Sequence, residues 1–342
     1  MMTTLKTLAA TLAAGLALGN AALAADTELN LYTARHYQTD ESLYSNFTAK
    51  TNIKINRIEG KEEELLERIR NEGANSPADV FITVDAARLA AADMAGIFAT
   101  VDSPLLRSAI PAHLRTDRWF AFSTRARVII YNKMEVKADQ VRNYEDLARP
   151  ELKGKVCTRS GNHPYNLSLG SALIQHIGAA RTEEWARGLV ANFARAPKGG
   201  DSDQIKAVGA GECGVALVNS YYLARMLKSD KPDERKAVER IGVIWPNQAS
   251  YGTHINISGG GMLKTAPHKE AAVKFLEYLA SPDAQNYFAN GNNEWPVVAG
   301  VKISNRGLEA MGGPFKADAL PVGKLADTVV EAQRIYDRAG FR

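Results

Sequence analysis

The residues with the most distinctive chemistry are phenols. Tyr221 and Tyr222 stand side by side in Val218-Asn-Ser-Tyr-Tyr-Leu223, Tyr37 follows His36 in Arg35-His36-Tyr37, and Tyr165 lies in Gly161-Asn-His-Pro-Tyr-Asn166. Adjacent side chains inside a strand point to opposite faces, so a tyrosine pair there would diverge. At a strand end entering a helix, both hydroxyls can approach one point. The flanking Asn219 and Ser220 are good helix-capping residues and fit such a turn. Taken singly, each group has an ordinary reading: a tyrosine doublet packs, a histidine at a strand end caps or faces water, and Tyr165 is a loop aromatic. Taken together, they offer phenol oxygens and one imidazole.

The elements that must position these groups can be read from periodicity. Glu28–Thr33 alternates as a strand, and Asp40–Ala49 follows as a helix. Ile53–Ile58 is a second alternating strand, with a helix over Lys61–Glu72 that spaces Leu65, Leu66 and Ile69 at helical intervals. Ala78–Thr83 is a more continuously apolar strand, and Asp85–Met94 a further helix. Strands alternating with helices in this way predict an α/β layer with a largely parallel sheet. Beyond the strand-like Trp119–Tyr131, a second α/β set runs through Gly154–Thr158, Leu167–Ile177, Trp185–Asn192 and Cys213–Asn219. Ile255–Met262 is again a strand, whose Gly259-Gly260-Gly261 reads as hinge or strand-end backbone. Helices follow at Glu270–Leu279, Pro282–Ala289 and Lys324–Arg338. The three tyrosine sites then each follow a parallel strand. Ligands of open α/β sheets bind outside those carboxyl ends, so the sites can share one cleft.

The amino terminus and the composition bound the compartment. Met1–Lys6 carries one basic side chain, Thr7–Asn20 is apolar and free of acidic residues, and Ala22-Leu23-Ala24 is a small-x-small cleavage pattern. This predicts a secretory signal peptide over residues 1–24, cut before Ala25. The run is interrupted by Gly15, Gly19 and Asn20, short of the about 20 apolar residues a membrane anchor needs. The chain has 342 residues, 45% hydrophobic, with a net charge of +4, which suits roughly two domains. An exported chain without a basic cluster argues against nucleic acid as a partner. The only cysteines are Cys157 and Cys213. In an oxidising compartment an even pair suggests one disulfide, the alternative being two buried thiols.

Leu31-Tyr-Thr-Ala-Arg-His-Tyr-Gln-Thr-Asp40, Ser76-Pro-Ala-Asp-Val-Phe-Ile-Thr-Val-Asp85, Ser123-Thr-Arg-Ala-Arg-Val-Ile-Ile-Tyr-Asn132, Val218-Asn-Ser-Tyr-Tyr222 and His254-Ile-Asn-Ile-Ser-Gly-Gly-Gly261 together resemble the periplasmic ferric-iron-binding proteins, also called bacterial transferrins. The resemblance covers essentially the whole mature chain and is nearest the branch with one histidine and four tyrosines. It implies an α/β, two-lobed periplasmic solute-binding protein of the type II, Venus-flytrap kind. The expected hinge crossings are Ser123–Ile130 and Asn247–Ile257. One lobe would comprise residues 25–126 and 253–300, the other 127–252 and 301–342. It further implies that His36, Tyr37, Tyr165, Tyr221 and Tyr222 bind Fe³⁺, that the protein is a monomer without enzymatic activity, and that its partner is the inner-membrane permease of an ABC importer. Carbonate or citrate is a candidate synergistic anion. Some family members use a carboxylate from the segment matching Ser76–Asp85, which gives Asp85 at most a supporting role here.

The chemistry is consistent with that expectation. Fe³⁺ is a hard cation that favours anionic oxygen over thiolate, and the same donors accommodate Fe²⁺ less tightly. Four phenolates and a neutral imidazole would leave the Fe³⁺ site with a charge of −1, which a nearby arginine would offset. Arg125 is the first choice and Arg127 the second. The same architecture would also suit a carrier of an organic anion, a polyamine or an oxyanion. His163, close to Tyr165, reads as a turn residue before Pro164, and the run Glu62-Glu63-Glu64 as a solvated helix face. The sequence contains no GxxxxGK, CxxC or His-Glu-x-x-His motif.

Overall fold

The computed structural model describes residues 26–35 and 37–342, so the signal peptide expected over residues 1–24 and His36 lie outside the described residues. Nine strands form one curled sheet: β1 (Glu28–Thr33), β2 (Lys54–Glu59), β3 (Val80–Thr83), β4 (Phe120–Asn132), β5 (Val156–Cys157), β6 (Val215–Asn219), β7 (Ile241–Ile244), β8 (Ile255–Met262) and β9 (Trp295–Pro296). Their order is β2-β1-β3-β8-β4-β6-β5, with β7 and β9 each also paired to β4.

β4 organises this arrangement. Its residues from Phe120 to Ala126 pair with β8, whereas Arg127 to Tyr131 pair with β6 and Ile129 to Asn132 with β7. The strand therefore changes partners between Ala126 and Arg127. The chain returns through the segment that ends at β8, where the Arg127 N–H donates to the His254 carbonyl at 2.9 Å. The sheet is less parallel than the alternation of elements predicts. β1 pairs β2 and β3 in parallel, and β5 pairs β6 in parallel. The pairs β3–β8, β4–β8 and β4–β6 are antiparallel. A strand that carries the chain between lobes does not return through a helical crossover, so nothing forces it parallel to its neighbours.

The local reasons for the elements are plain in the sequence. Leu29 and Leu31 of β1 are fully buried, as the alternation requires. The helix Ala86–Met94 starts where Asp85 accepts from the Arg88 N–H at 3.0 Å. The helix Pro164–Ile177 has proline in its first turn and His163 as its cap, and it stops at Gly178 with φ +85°. The helix Asp201–Ala210, which periodicity misses, carries a glycine where a Cβ would lie 1.9 Å from the Ala237 carbonyl. It buries Ile205, Ala207 and Val208 against the core beside β6 and packs closely on the helix Pro232–Val238. A similar close approach corrects the reading of Gly259-Gly260-Gly261. They sit within β8, and a Cβ would come within 2.7, 2.5 and 2.3 Å of the carbonyls of Phe120, Phe81 and Arg118.

The acidic run also differs from expectation. Glu63 and Glu64 face water, but Glu62 is buried, accepts from the Val84 N–H at 2.7 Å and pairs with Arg88. The loop after β3 leaves the Val84 N–H without a backbone partner, and the first turn of the helix Glu62–Glu72 supplies a carboxylate to it.

Cys157, at the end of β5, and Cys213, just before β6, form a disulfide with a Cα–Cα distance of 5.8 Å, closing a loop of sequence separation 56. Replacing both by alanine is expected to lower the unfolding free energy by about 4 kcal/mol on the chain-entropy account, read from urea melts. A thiol titration of native protein without reductant should find no free thiol, and two reactive thiols would contradict the bridge.

Candidate metal centre

Each tyrosine stands where a parallel strand ends. β6 ends at Asn219, and the helix Ser220–Leu227 begins at once, so Tyr221 and Tyr222 occupy its first turn. Tyr165 lies in the first turn of the helix Pro164–Ile177 rather than in a loop, and Tyr37 comes between β1 and the helix Asp40–Thr51. Asn219 and Ser220 do not use their side chains as caps. The Asn219 Oδ1 accepts from Arg127 at 3.2 Å, and the Ser220 Oγ accepts from the Ala126 N–H at 3.1 Å. Both tie the start of the tyrosine-bearing helix to β4.

These starts bring the phenols together. The Tyr165 and Tyr221 hydroxyls are 3.1 Å apart. The Tyr221 ring lies 4.2 Å from that of Tyr222 and 6.5 Å, edge-on, from that of Tyr37. Tyr221 is buried, while Tyr37, Tyr165 and Tyr222 are half-buried. Each ring also has a guanidinium near it: Arg35 at 4.9 Å from Tyr37, Arg159 at 5.0 Å from Tyr165, Arg125 at 6.0 Å from Tyr221 and Arg225 at 5.4 Å from Tyr222. Such contacts are favourable with a neutral ring and more so with a phenolate.

Arg125 is buried and held firmly. It donates to the Val84 carbonyl at 3.0 Å and to the Ser258 Oγ at 2.9 Å, and lies 3.6 Å from Glu294. Arg127 is bound to Asp201 and to Asn166, each at 2.8 Å. Its charge is thus met by Asp201. Asp85 accepts from Asn256 at 2.7 Å besides capping its helix. His163 accepts from the Tyr165 N–H at 3.2 Å and packs its ring 4.4 Å from that of Tyr165. Burial, with Arg159 nearby, lowers its pKa to about 3, which keeps it neutral.

Sequence reasoning passed over five contributors. Arg159 and Arg225 had no signal. Arg35, inside the Arg-His-Tyr motif, forms two hydrogen bonds with Asp40, at 2.8 and 3.0 Å, and one with Glu294 at 3.1 Å. Proximity in sequence to Arg35 is the one signal that marks Asp40. Glu294 is 259 positions from Arg35, and no local pattern marks it.

Burial raises the pKa of Tyr37, Tyr165 and Tyr221 above that of free tyrosine. Charge on neighbouring groups adds to the shift: Glu294 at Tyr37, Tyr222 at Tyr165, and Tyr37 at Tyr221. Arg125 pulls all three down. A cation bound among them inverts this balance and makes the phenolates the stable form. Among the described residues, no group of three or more His, Cys, Asp or Glu is arranged to hold a metal ion; the converging oxygens are phenolic. A cleft of about 800 Å³ lies against Tyr165, with Lys61, Glu62, Asp85 and Arg88 in its wall.

The sign of the pH dependence follows. An unfolded chain's tyrosines ionise near pH 10, whereas the buried phenols stay protonated beyond it. The native state then holds more protons, so the metal-free protein loses stability as pH rises above about 10 and is unaffected by these groups below it. Tyr221→Phe, which cannot ionise in either state, should lose less stability over that range in urea melts. An equal loss would remove Tyr221 from the shifted set.

Residues 75–309 match the family of bacterial extracellular solute-binding proteins. The chain is 49% identical to iron uptake protein A1 of Synechocystis sp., over 92% of this chain and 88% of that protein. It is 29% identical to the Fe(3+)-binding periplasmic protein of Serratia marcescens, over 93% and 94% of the two chains. The Trichodesmium IdiA (FutA) structure, in complex with iron and citrate ligands, superposes with a TM-score of 0.88 at 51% identity, covering 92% of this chain and all of that one. With its two lobes joined through β4 and its phenols gathered at strand ends, the chain belongs to the bacterial extracellular solute-binding proteins, among the periplasmic ferric-iron-binding members.

Proposed function

We propose that the protein is the solute-binding component of an iron(III) ABC importer: exported to the periplasm, it binds Fe³⁺ between its lobes and delivers it to an inner-membrane permease, without enzymatic activity. The observation that carries this reading is the meeting of tyrosines from separate strand ends, with the Tyr165 and Tyr221 hydroxyls 3.1 Å apart. Tyr37, Tyr165, Tyr221 and Tyr222 would ligate as phenolates. His36 is assigned from its place beside Tyr37 in the sequence. Oxygen anions suit a hard trivalent cation, and the phenol protons leave as it binds.

The lobes would divide as residues 25–126 with 253–300, and 127–252 with 301–342. The change of β4 partners after Ala126 supports this division, as does the packing of the helix Arg306–Ala310 on Ser220–Leu227. Tyr37 then belongs to the first lobe, and Tyr165, Tyr221 and Tyr222 to the second. Only the closed form brings all the ligands to one ion, so Fe³⁺ favours closure by binding it more tightly than the open form. Arg125, at the crossing, offsets the −1 charge of the loaded site only in part, because Glu294 lies 3.6 Å from it. Arg127 and Asp85 act at one remove, through Asn166 and Asn256. The cleft beside Tyr165 has room for a carboxylate anion such as citrate, and Lys61 and Arg88 in its wall offer positive charge.

Ferric citrate titrated into chelator-stripped mature protein should produce a phenolate-to-iron charge-transfer band that saturates at one iron per chain and bleaches on acidification. Tyr221→Phe combined with Tyr222→Phe should abolish the band and tight binding. Stoichiometric iron retained by that double variant would defeat the assignment.

A further inference from the structure

Glu294 lies just before β9 with its side chain 1% exposed. Its Oε2 accepts from Arg35 at 3.1 Å and from the Ser123 hydroxyl at 2.9 Å. Its Oε1 lies 3.6 Å from Arg125 and has no hydrogen-bond partner. Neither arginine needs Glu294 for its orientation. Asp40 holds Arg35 through two hydrogen bonds, and the Val84 carbonyl and Ser258 hold Arg125. A buried carboxylate with one unsatisfied oxygen is costly. What Glu294 adds is negative charge. With Asp40 it cancels the charges of Arg35 and Arg125, the guanidiniums near Tyr37 and Tyr221.

We propose that Glu294 is a specificity-determining residue for the oxidation state of the bound iron, its buried carboxylate favouring Fe³⁺ over Fe²⁺. The inference rests on the iron-site reading above. With four phenolates and a neutral imidazole, the loaded site carries −1 as Fe³⁺ and −2 as Fe²⁺. A fixed negative charge opposes the second state more than the first. At a separation of about 10 Å and an effective dielectric of about 20, that difference is worth about tenfold in the ratio of the two affinities. Without Glu294, the first-lobe cluster would carry a surplus positive charge and tolerate reduction more readily.

The test is spectroelectrochemical. Mature protein loaded with ferric iron is reduced stepwise with mediators while the charge-transfer band is followed, in wild type, Glu294→Gln, Glu294→Met and Glu294→Asp. The two neutral variants should retain stoichiometric iron and shift the midpoint positively by about 59 mV, the equivalent of tenfold for one electron. Glu294→Asp, which keeps the charge, should stay near wild type. Neutral variants that bind iron at an unchanged midpoint would overturn the proposal. So would Gln and Asp variants that shift alike, since that marks geometry rather than charge. If wild type itself develops no band, the iron reading falls and this inference with it, an outcome distinct from a band whose potential does not move.

Discussion

One strand belongs to both halves of the sheet, and the groups facing the tyrosines are placed relative to it. β4 pairs with β8 through Ala126 and with β6 from Arg127 onward. Arg125 and Arg127, two positions apart, share a strand face by the period of two, yet they lie on either side of this change of partners. Arg125 is tied to Val84 and Ser258, and Arg127 to Asp201 and Asn166. Ser220, at the start of the Tyr221–Tyr222 helix, bonds the intervening Ala126 N–H. A change in the course of β4 would therefore move both arginines and the tyrosine doublet together.

The electrostatics around the phenols are balanced rather than simply positive. Four guanidiniums stand near the four rings. The buried ones are matched closely: Arg35 by Asp40 and Glu294, and Arg125 by Glu294. Ion pairs this deep contribute little net stability, because desolvation opposes the Coulombic gain. They do fix the positions and charges of groups around the phenols. Burial keeps the phenols protonated without a cation, and the arginines limit how far. Positions at helix starts help as well, since the amino-terminal ends favour developing negative charge.

Much of the fold was legible because its signals are local. β1, β8 and most of the long helices follow from alternation, helical spacing and caps such as Asp85 and Ser281. The elements missed share a physical reason. The helices Asp201–Ala210 and Pro232–Val238 are short, their apolar positions are few, and they meet at a glycine whose close backbone approach no local pattern announces. The strands β7 and β9 are short and take their partners from β4. The glycine run misled for a related cause: the need for glycine lies in three neighbouring carbonyls contributed by distant segments.

By itself, the sequence determined which donors exist and where along the chain they fall. Tyr37, Tyr165 and the Tyr221–Tyr222 pair each follow a strand, and those are facts of local pattern. The pairing of Cys157 with Cys213 was also within reach, since both flank strand-like runs. Tertiary structure alone decided the charge around the donors. It turned Arg127 toward Asp201, took Glu62 out of water to meet Val84, and brought Glu294 against Arg35 and Arg125. Coulombic interaction depends on distance and burial in three dimensions, and neither is written in the spacing of residues along a chain.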